Sequence, residues 1–166
     1  MGVRVCVAGV TGWTGLEITR GIIASEDMTL TAAVSRTAEG RDVANVLGLE
    51  EPTGIEICAT VQDALHADVD VLIDYTSTEA VKDHVLYAIE QGVAVVVGTS
   101  GLSAADYDEI DQRAQEKGVG VVGGGNFSLT ATMMQHLALI AAEHIPQFEV
   151  LDCAWAEKED VPSGTA

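Results

Sequence analysis

Apolar residues follow two alternating rhythms along this chain. Short valine-rich runs, the length of β-strands, begin at Val3, and further runs cover 28–35, 54–60, 69–75, 92–97 and 118–122. Between them lie stretches with helical spacing: Leu16, Ile18, Ile22 and Ile23 after the first run, then 61–67, 80–91, 104–117 with Ser103 as cap, and 129–144. Residues 38–52 have mixed polarity and suit a loop with a short helix, and 148–155 is strand-like again. Strands alternating with helices in this way predict an α/β fold with a parallel, doubly wound sheet.

Three glycines, Gly9, Gly12 and Gly15, stand where the first run gives way to the first helix. Glycine there permits a tight turn and a close approach of phosphate to backbone, and the helix start offers unpaired N–H groups and a positive dipole end. Strand, glycine turn and helix in that order predict a Rossmann-like dinucleotide site carried by Gly9, Thr11, Gly12, Trp13, Thr14 and Gly15. The alternative is a plain glycine-rich βα turn. The second strand closes with Ser35-Arg36-Thr37 and no acid. A carboxylate there would bond the 2′-hydroxyl of NAD, whereas Arg36 can hold a 2′-phosphate, so NADPH is expected, with NADH possible. An ordinary exposed arginine is the plainer reading of Arg36. Thr76 with Glu79 suits a capping box ahead of the helix at 80–91.

Composition narrows the partners. The 166 residues carry 26 acidic and 8 basic side chains, a formal charge of −18. Such a chain repels nucleic acid and anionic membrane. Its acidity suits a salt-rich cytoplasm, although acidic solubility alone would also explain it. Cys6, Cys58 and Cys153 lie in apolar runs without a CxxC pair, and are expected as buried thiols of a reducing, cytoplasmic compartment. The amino terminus does not read as a signal peptide. Residues 118–142 lack charge, but their central glycines, Gln135 and His136 argue for strand, turn and buried helix, with Met133, Met134 and His136 as core or interface residues. His66, His84 and His144 are isolated in sequence, so no metal site is expected. In the tail, Ser163-Gly164-Thr165 with Lys158 upstream can cradle a carboxylate, or simply cap a helix beside a solvated charge run. The stop at Ala166 reads as a truncation.

Five motifs in register resemble the N-terminal part of the dihydrodipicolinate reductase family. They are the Gly9/Gly12/Gly15 turn, Asp74-Tyr75-Thr76, the 97–101 stretch VGTSG, Gly125-Asn126-Phe127-Ser128, and Lys158 with Asp160 and the 162–166 stretch PSGTA. The resemblance spans the chain. It implies an NAD(P)H-dependent reductase of lysine and diaminopimelate biosynthesis, delivering hydride to a carboxylated cyclic imine or conjugated substrate. It also implies a nucleotide domain at 1–127. Residues 128–166 would then begin an incomplete α+β substrate domain that builds a homotetramer. Thr76, Gly98, Thr99, Ser100, Asn126 and Phe127 match the segments that hold the cofactor. Lys158, Ser163, Gly164 and Thr165 match the substrate-binding positions, with Lys158 as the catalytic candidate.

Two departures stand out. Ala154 and Trp155 occupy the family's usual His-His pair, and Trp13 and Thr14 replace the arginine and methionine usual in its glycine turn. Loss of a general acid typically costs ~10²–10⁴ in rate, so a catalytically impaired nucleotide-binding module, or a reductase with another substrate, is the alternative expectation. A semialdehyde-type reductase ranks last, because it needs a nucleophilic cysteine in an exposed turn.

Overall fold

A computed structural model describes residues 2–66, 68–151 and 153. Six strands, β1 (Val3–Ala8), β2 (Met28–Val34), β3 (Ile57–Cys58), β4 (Val71–Asp74), β5 (Ala94–Val97) and β6 (Val121–Gly123), form one sheet in the order β3-β2-β1-β4-β5-β6. The β1–β2, β1–β4, β2–β3 and β4–β5 pairs are parallel. The helices between the strands are α1 (Trp13–Ile23), α2 (Val43–Leu47), α3 (Val61–Ala64), α4 (Val81–Glu90) and α5 (Ala104–Lys117), with α6 (Leu129–Ala142) after β6. This is the doubly wound, Rossmann-like topology that the hydrophobic rhythm predicts, and its strand order reverses between β1 and β4.

The period-two pattern of β1, β2 and β4 feeds two cores. Val5 and Val7 of β1 join Val10, Ile22, Val43 and Leu47 on the α1/α2 face. Cys6 and Ala8 point the other way, to Val61, Val85, Ile89 and Ile110 on the α3/α4/α5 face. A register shift between Val5 and Cys6 pairs them with Leu30 and Ala32, so Thr31 is an extra residue in β2 and the alternation resumes beyond it. Each fully buried Val or Ile contributes roughly 1.5–3 kcal/mol of transfer free energy. The strand entrance is tied by Arg4, whose Nη1 lies 2.5 Å from Asp68 Oδ2 and Nη2 2.6 Å from Asp70 Oδ1. Lys82 links α4 to α5 through Asp106 (2.7 Å) and Glu109 (2.8 Å).

The chain divides into two compact units, residues 1–122 and 123–166. In the second, Ser128 caps α6 by accepting from the Ala131 N–H, and no described residue of α6 is buried. Met133, Met134 and His136 are thus exposed, which corrects the core half of the core-or-interface expectation and does not bear on the interface half. Residues 148–151 form no strand, since no described residue provides them with a ladder. Cys6 is buried, Cys58 half-buried and Cys153 exposed, so the expectation of three buried thiols holds fully only for Cys6. Burial pushes the Cys6 thiol up to about 12, which leaves it a packing residue. The third predicted strand shrinks to two residues because Asp42 draws the preceding segment away. Its Oδ1 accepts from Thr53 N–H (3.1 Å) and Oγ1 (2.8 Å), and its Oδ2 from the Gly54 N–H (2.8 Å).

Candidate nucleotide site

The turn after β1 is built so closely that only glycine fits. Gly9 has φ of +90°, and a Cβ on it would lie 2.1 Å from the Tyr75 carbonyl oxygen. A Cβ on Gly15 would lie 2.1 Å from the Gly9 carbonyl oxygen, so α1 leaves the turn in direct backbone contact with it. Gly12 is the N-cap of α1. It supplies no side-chain cap, and the first turn of the helix carries no acid. The positive end of the helix dipole therefore meets no competing carboxylate, while the Gly9 and Val10 N–H groups donate to Val34 O and the Gly12 N–H to Gly9 O. Trp13 is 82% exposed, so its ring does not fold down over the bend.

A cleft of about 340 Å³ opens from this turn, and Gly9, Thr11, Gly12, Arg36 and Thr76 all line it. Thr11 Oγ1 and Ser35 Oγ are 2.9 Å apart, and Ser35 Oγ and Thr37 Oγ1 3.2 Å, a hydroxyl chain joining the glycine turn to the end of β2. The Glu79 carboxyl is held below its ordinary value by a hydrogen bond to Ser77 and further ones to its own N–H and Thr78, with the charge of Arg36 adding to them. Tyr75 lies on the β4 side, its hydroxyl pushed up by burial. Its ring covers Gly98, where a Cβ would meet ring carbons at 2.0–2.4 Å.

Beneath Thr76 sits a buried network that the pattern of the chain did not reveal. Asp74 is wholly buried. Its Oδ1 accepts from the Thr76 N–H (3.0 Å), Thr76 Oγ1 (2.7 Å) and Thr99 Oγ1 (2.7 Å), while Oδ2 lies 2.8 Å from His84 Nδ1. Burial opposes the charge on Asp74, but the hydrogen bonds from His84, Thr99 and Thr76 outweigh it and hold the carboxyl below its usual range. Thr76 therefore does not cap α4. That helix has Ala80 as its N-cap and no side-chain cap, so the Thr76–Glu79 capping box is replaced by anchoring to Asp74. His84 is not isolated either; it lines the cleft from the first turn of α4. Ten residues separate Asp74 from His84, a spacing with no local signature.

The remaining candidates divide. Trp13, Thr14 and Gly15 form the first turn of α1, and Gly98, Thr99 and Ser100 lie at and after the end of β5. Asn126 and Phe127 belong to the second unit, where Asn126 Oδ1 accepts the Ser128 N–H at 2.7 Å. Lys158, Ser163, Gly164 and Thr165 lie outside the described residues, as do Ala154 and Trp155. No cluster of His, Cys, Asp and Glu able to hold a metal occurs among the described residues. No described helix is long and apolar enough to cross a membrane.

Comparison with known proteins gives this geometry a family. The family model described as dihydrodipicolinate reductase, N-terminus, matches residues 3–127. The chain belongs to the dihydrodipicolinate reductase family. The matched region contains every cofactor candidate from Gly9 to Phe127. The chain is 38% identical over 165 residues to 4-hydroxy-tetrahydrodipicolinate reductase of Moorella thermoacetica, covering 99% of this chain and 61% of that protein. It is 35% identical over 166 residues to the enzyme of the same name from Desulfitobacterium hafniense, covering 99% and 62%. The chain thus spans about three fifths of the length of these curated reductases. Among solved structures, the dipicolinate-bound dihydrodipicolinate reductase of Paenisporosarcina sp. TG-14 superposes with a TM-score of 0.79 at 24% identity. That match covers 99% of this chain and 63% of the other, and it shows the shared fold.

Proposed function

We propose that this chain is the nucleotide-binding part of an NAD(P)H-dependent reductase of the 4-hydroxy-tetrahydrodipicolinate type, acting in lysine and diaminopimelate biosynthesis. The observation that carries the reading is the glycine turn leading into an α1 start with no acid and no side-chain cap, opening into one cleft with Arg36. The pyrophosphate rests at the N-terminal end of α1, where no acid repels it, and not on the Gly9, Val10 and Gly12 N–H groups, which already donate to the Val34 and Gly9 carbonyls. The Thr11–Ser35–Thr37 hydroxyls meet the adenosine ribose, and Arg36 holds a 2′-phosphate, so NADPH is preferred over NADH. Thr76, Gly98, Thr99 and Ser100 belong to the nicotinamide end, and Asn126 and Phe127 match further family positions of that role. When bound, the reduced nicotinamide supplies hydride.

Lys158 and the Ser163-Gly164-Thr165 segment hold the substrate's carboxylates, and Lys158 is the proton-donor candidate where Ala154 has no proton to give. Residues 128–166 open a substrate domain through which the full protein forms a homotetramer, and its place is the cytoplasm. Ala154 and Trp155 also favour a second reading, a cofactor-binding relative with weakened chemistry.

The test is the ratio of NADPH to NADH affinity before and after Arg36→Asp. The ratio is expected to reverse, and an unchanged ratio removes Arg36 from the site. NADPH oxidation by a full-length protein, with Lys158→Ala beside it, separates the two readings. NADPH binding without turnover on any cyclic imine favours the binding module, and equal turnover in both forms removes Lys158 from the mechanism.

A further inference from the structure

The cleft extends further than a pyrophosphate and a ribose require. From the glycine turn it passes residues 35–37 and continues between the start of α3 (Thr60, Gln62) and the start of α4 (Ala80, His84). A dinucleotide with its pyrophosphate at the N-terminal end of α1 and its ribose at the end of β2 brings its purine base into this last part. His84 is held there from beneath, its Nδ1 on Asp74 Oδ2 at 2.8 Å. An ionised carboxylate only accepts, so Nδ1 carries the proton, and the ring nitrogen left for a ligand is Nε2, with a lone pair in the neutral ring. Asp74 has no freedom to change this arrangement, because three donors already occupy Oδ1.

We propose that His84 reads the purine base of the bound dinucleotide, accepting at Nε2 a hydrogen bond from the exocyclic amine of adenine. Asp74 is the positioning residue that sets its tautomer. The inference rests on the reading of the cleft as a nucleotide site.

The experiment compares the affinity of the chain for NADPH with that for its hypoxanthine counterpart, in which a carbonyl replaces the adenine amine. The unaltered chain should prefer the adenine form by about tenfold, the worth of one hydrogen bond together with the mismatch left in its place. His84→Ala should bind both alike. Asp74→Asn makes the sharper demand. Its Oδ1 keeps the three donors, so its amide NH₂ takes the place of Oδ2 and donates to Nδ1. The ring proton moves to Nε2, and the preference should turn towards the hypoxanthine form. Nitrogen-15 shifts of the ligand-free His84 ring should report Nδ1–H in the unaltered chain and Nε2–H in Asp74→Asn, a change that a purely structural role does not require.

Equal affinity of the unaltered chain for both forms, or a preference for hypoxanthine, overturns the proposal and leaves the nucleotide site standing. Failure of both dinucleotides to bind overturns the site itself. Should circular dichroism show that a variant is unfolded, the affinity ratio and ring tautomer of the unaltered chain decide the matter.

Discussion

Helix α1 contains two glycines whose replacement by alanine should have opposite effects. At Gly21 an added Cβ meets nothing within 4 Å. There alanine brings only its better helix propensity and a less free unfolded chain, a gain of about 0.4–1 kcal/mol. At Gly15 the same methyl would stand 2.1 Å from the Gly9 carbonyl oxygen and 2.8 Å from its carbon. Those atoms are backbone and have no rotamer to retreat into. Gly9 is itself pinned, its N–H donating to Val34 O at 2.9 Å and its main chain pressed against the Tyr75 carbonyl. The helix must therefore lift by about 1 Å, an overpacking cost of about 1–3 kcal/mol. Propensity largely cancels between the two variants, so Gly15→Ala should fall below Gly21→Ala by about that same 1–3 kcal/mol. Urea unfolding with a common slope reads the difference directly as a shift in midpoint. The displacement should also be felt by the cofactor. An amide moved by about 1 Å loses its hydrogen bond to phosphate, weakening NADPH about 10- to 100-fold. Gly21→Ala should leave affinity unchanged. A Gly15→Ala chain as stable as Gly21→Ala, with undiminished affinity, would refute the close packing of strand, turn and helix.

Other expectations follow from single contacts. The side chain of Arg4, and then its backbone N–H, hold the Asp70 carboxyl down at about 2. Its folded value lies below the unfolded one, so its contribution to stability is complete above about pH 4 and is lost as pH falls towards 2. Urea midpoints followed down to acid should therefore lose part of their pH dependence in Asp70→Asn, and an identical acid limb would remove the pair from the stability of the fold. Ser103 and Asp106 form a reciprocal cap at the start of α5, each accepting from the other's backbone N–H. Ser103→Ala should cost about 1 kcal/mol by urea midpoint; no change would mean that Asp106, already paired with Lys82, holds that end alone.

Much of the fold was legible along the chain because each element carries its own local reason. The run at 69–75 contains β4, with its ends trimmed to Val71–Asp74, and Ser103 starts α5 where its side chain finds the N–H three residues on. Gly9, Gly12 and Gly15 marked the turn, since glycine is what a backbone leaves when it approaches another backbone. By contrast, the 54–60 run kept only Ile57 and Cys58 as strand. Its pairing depends on how far β2 extends alongside it and on the pull of Asp42, neither of which is a property of the run.

What tertiary structure alone decided is which polar groups meet. Thr76 next to Glu79 has the spacing of a helix cap, and its hydroxyl goes instead to Asp74, because a buried carboxylate at the end of β4 needs donors more than an exposed helix start does. His84 is unremarkable by spacing, yet folding sets it on that carboxylate and at the wall of the cleft. Periodicity reports which face of an element turns inward. The partner waiting there is fixed only when β1, β4 and β5 align their ends, which brings Asp74, Thr99 and the glycine turn together at the carboxyl end of the sheet.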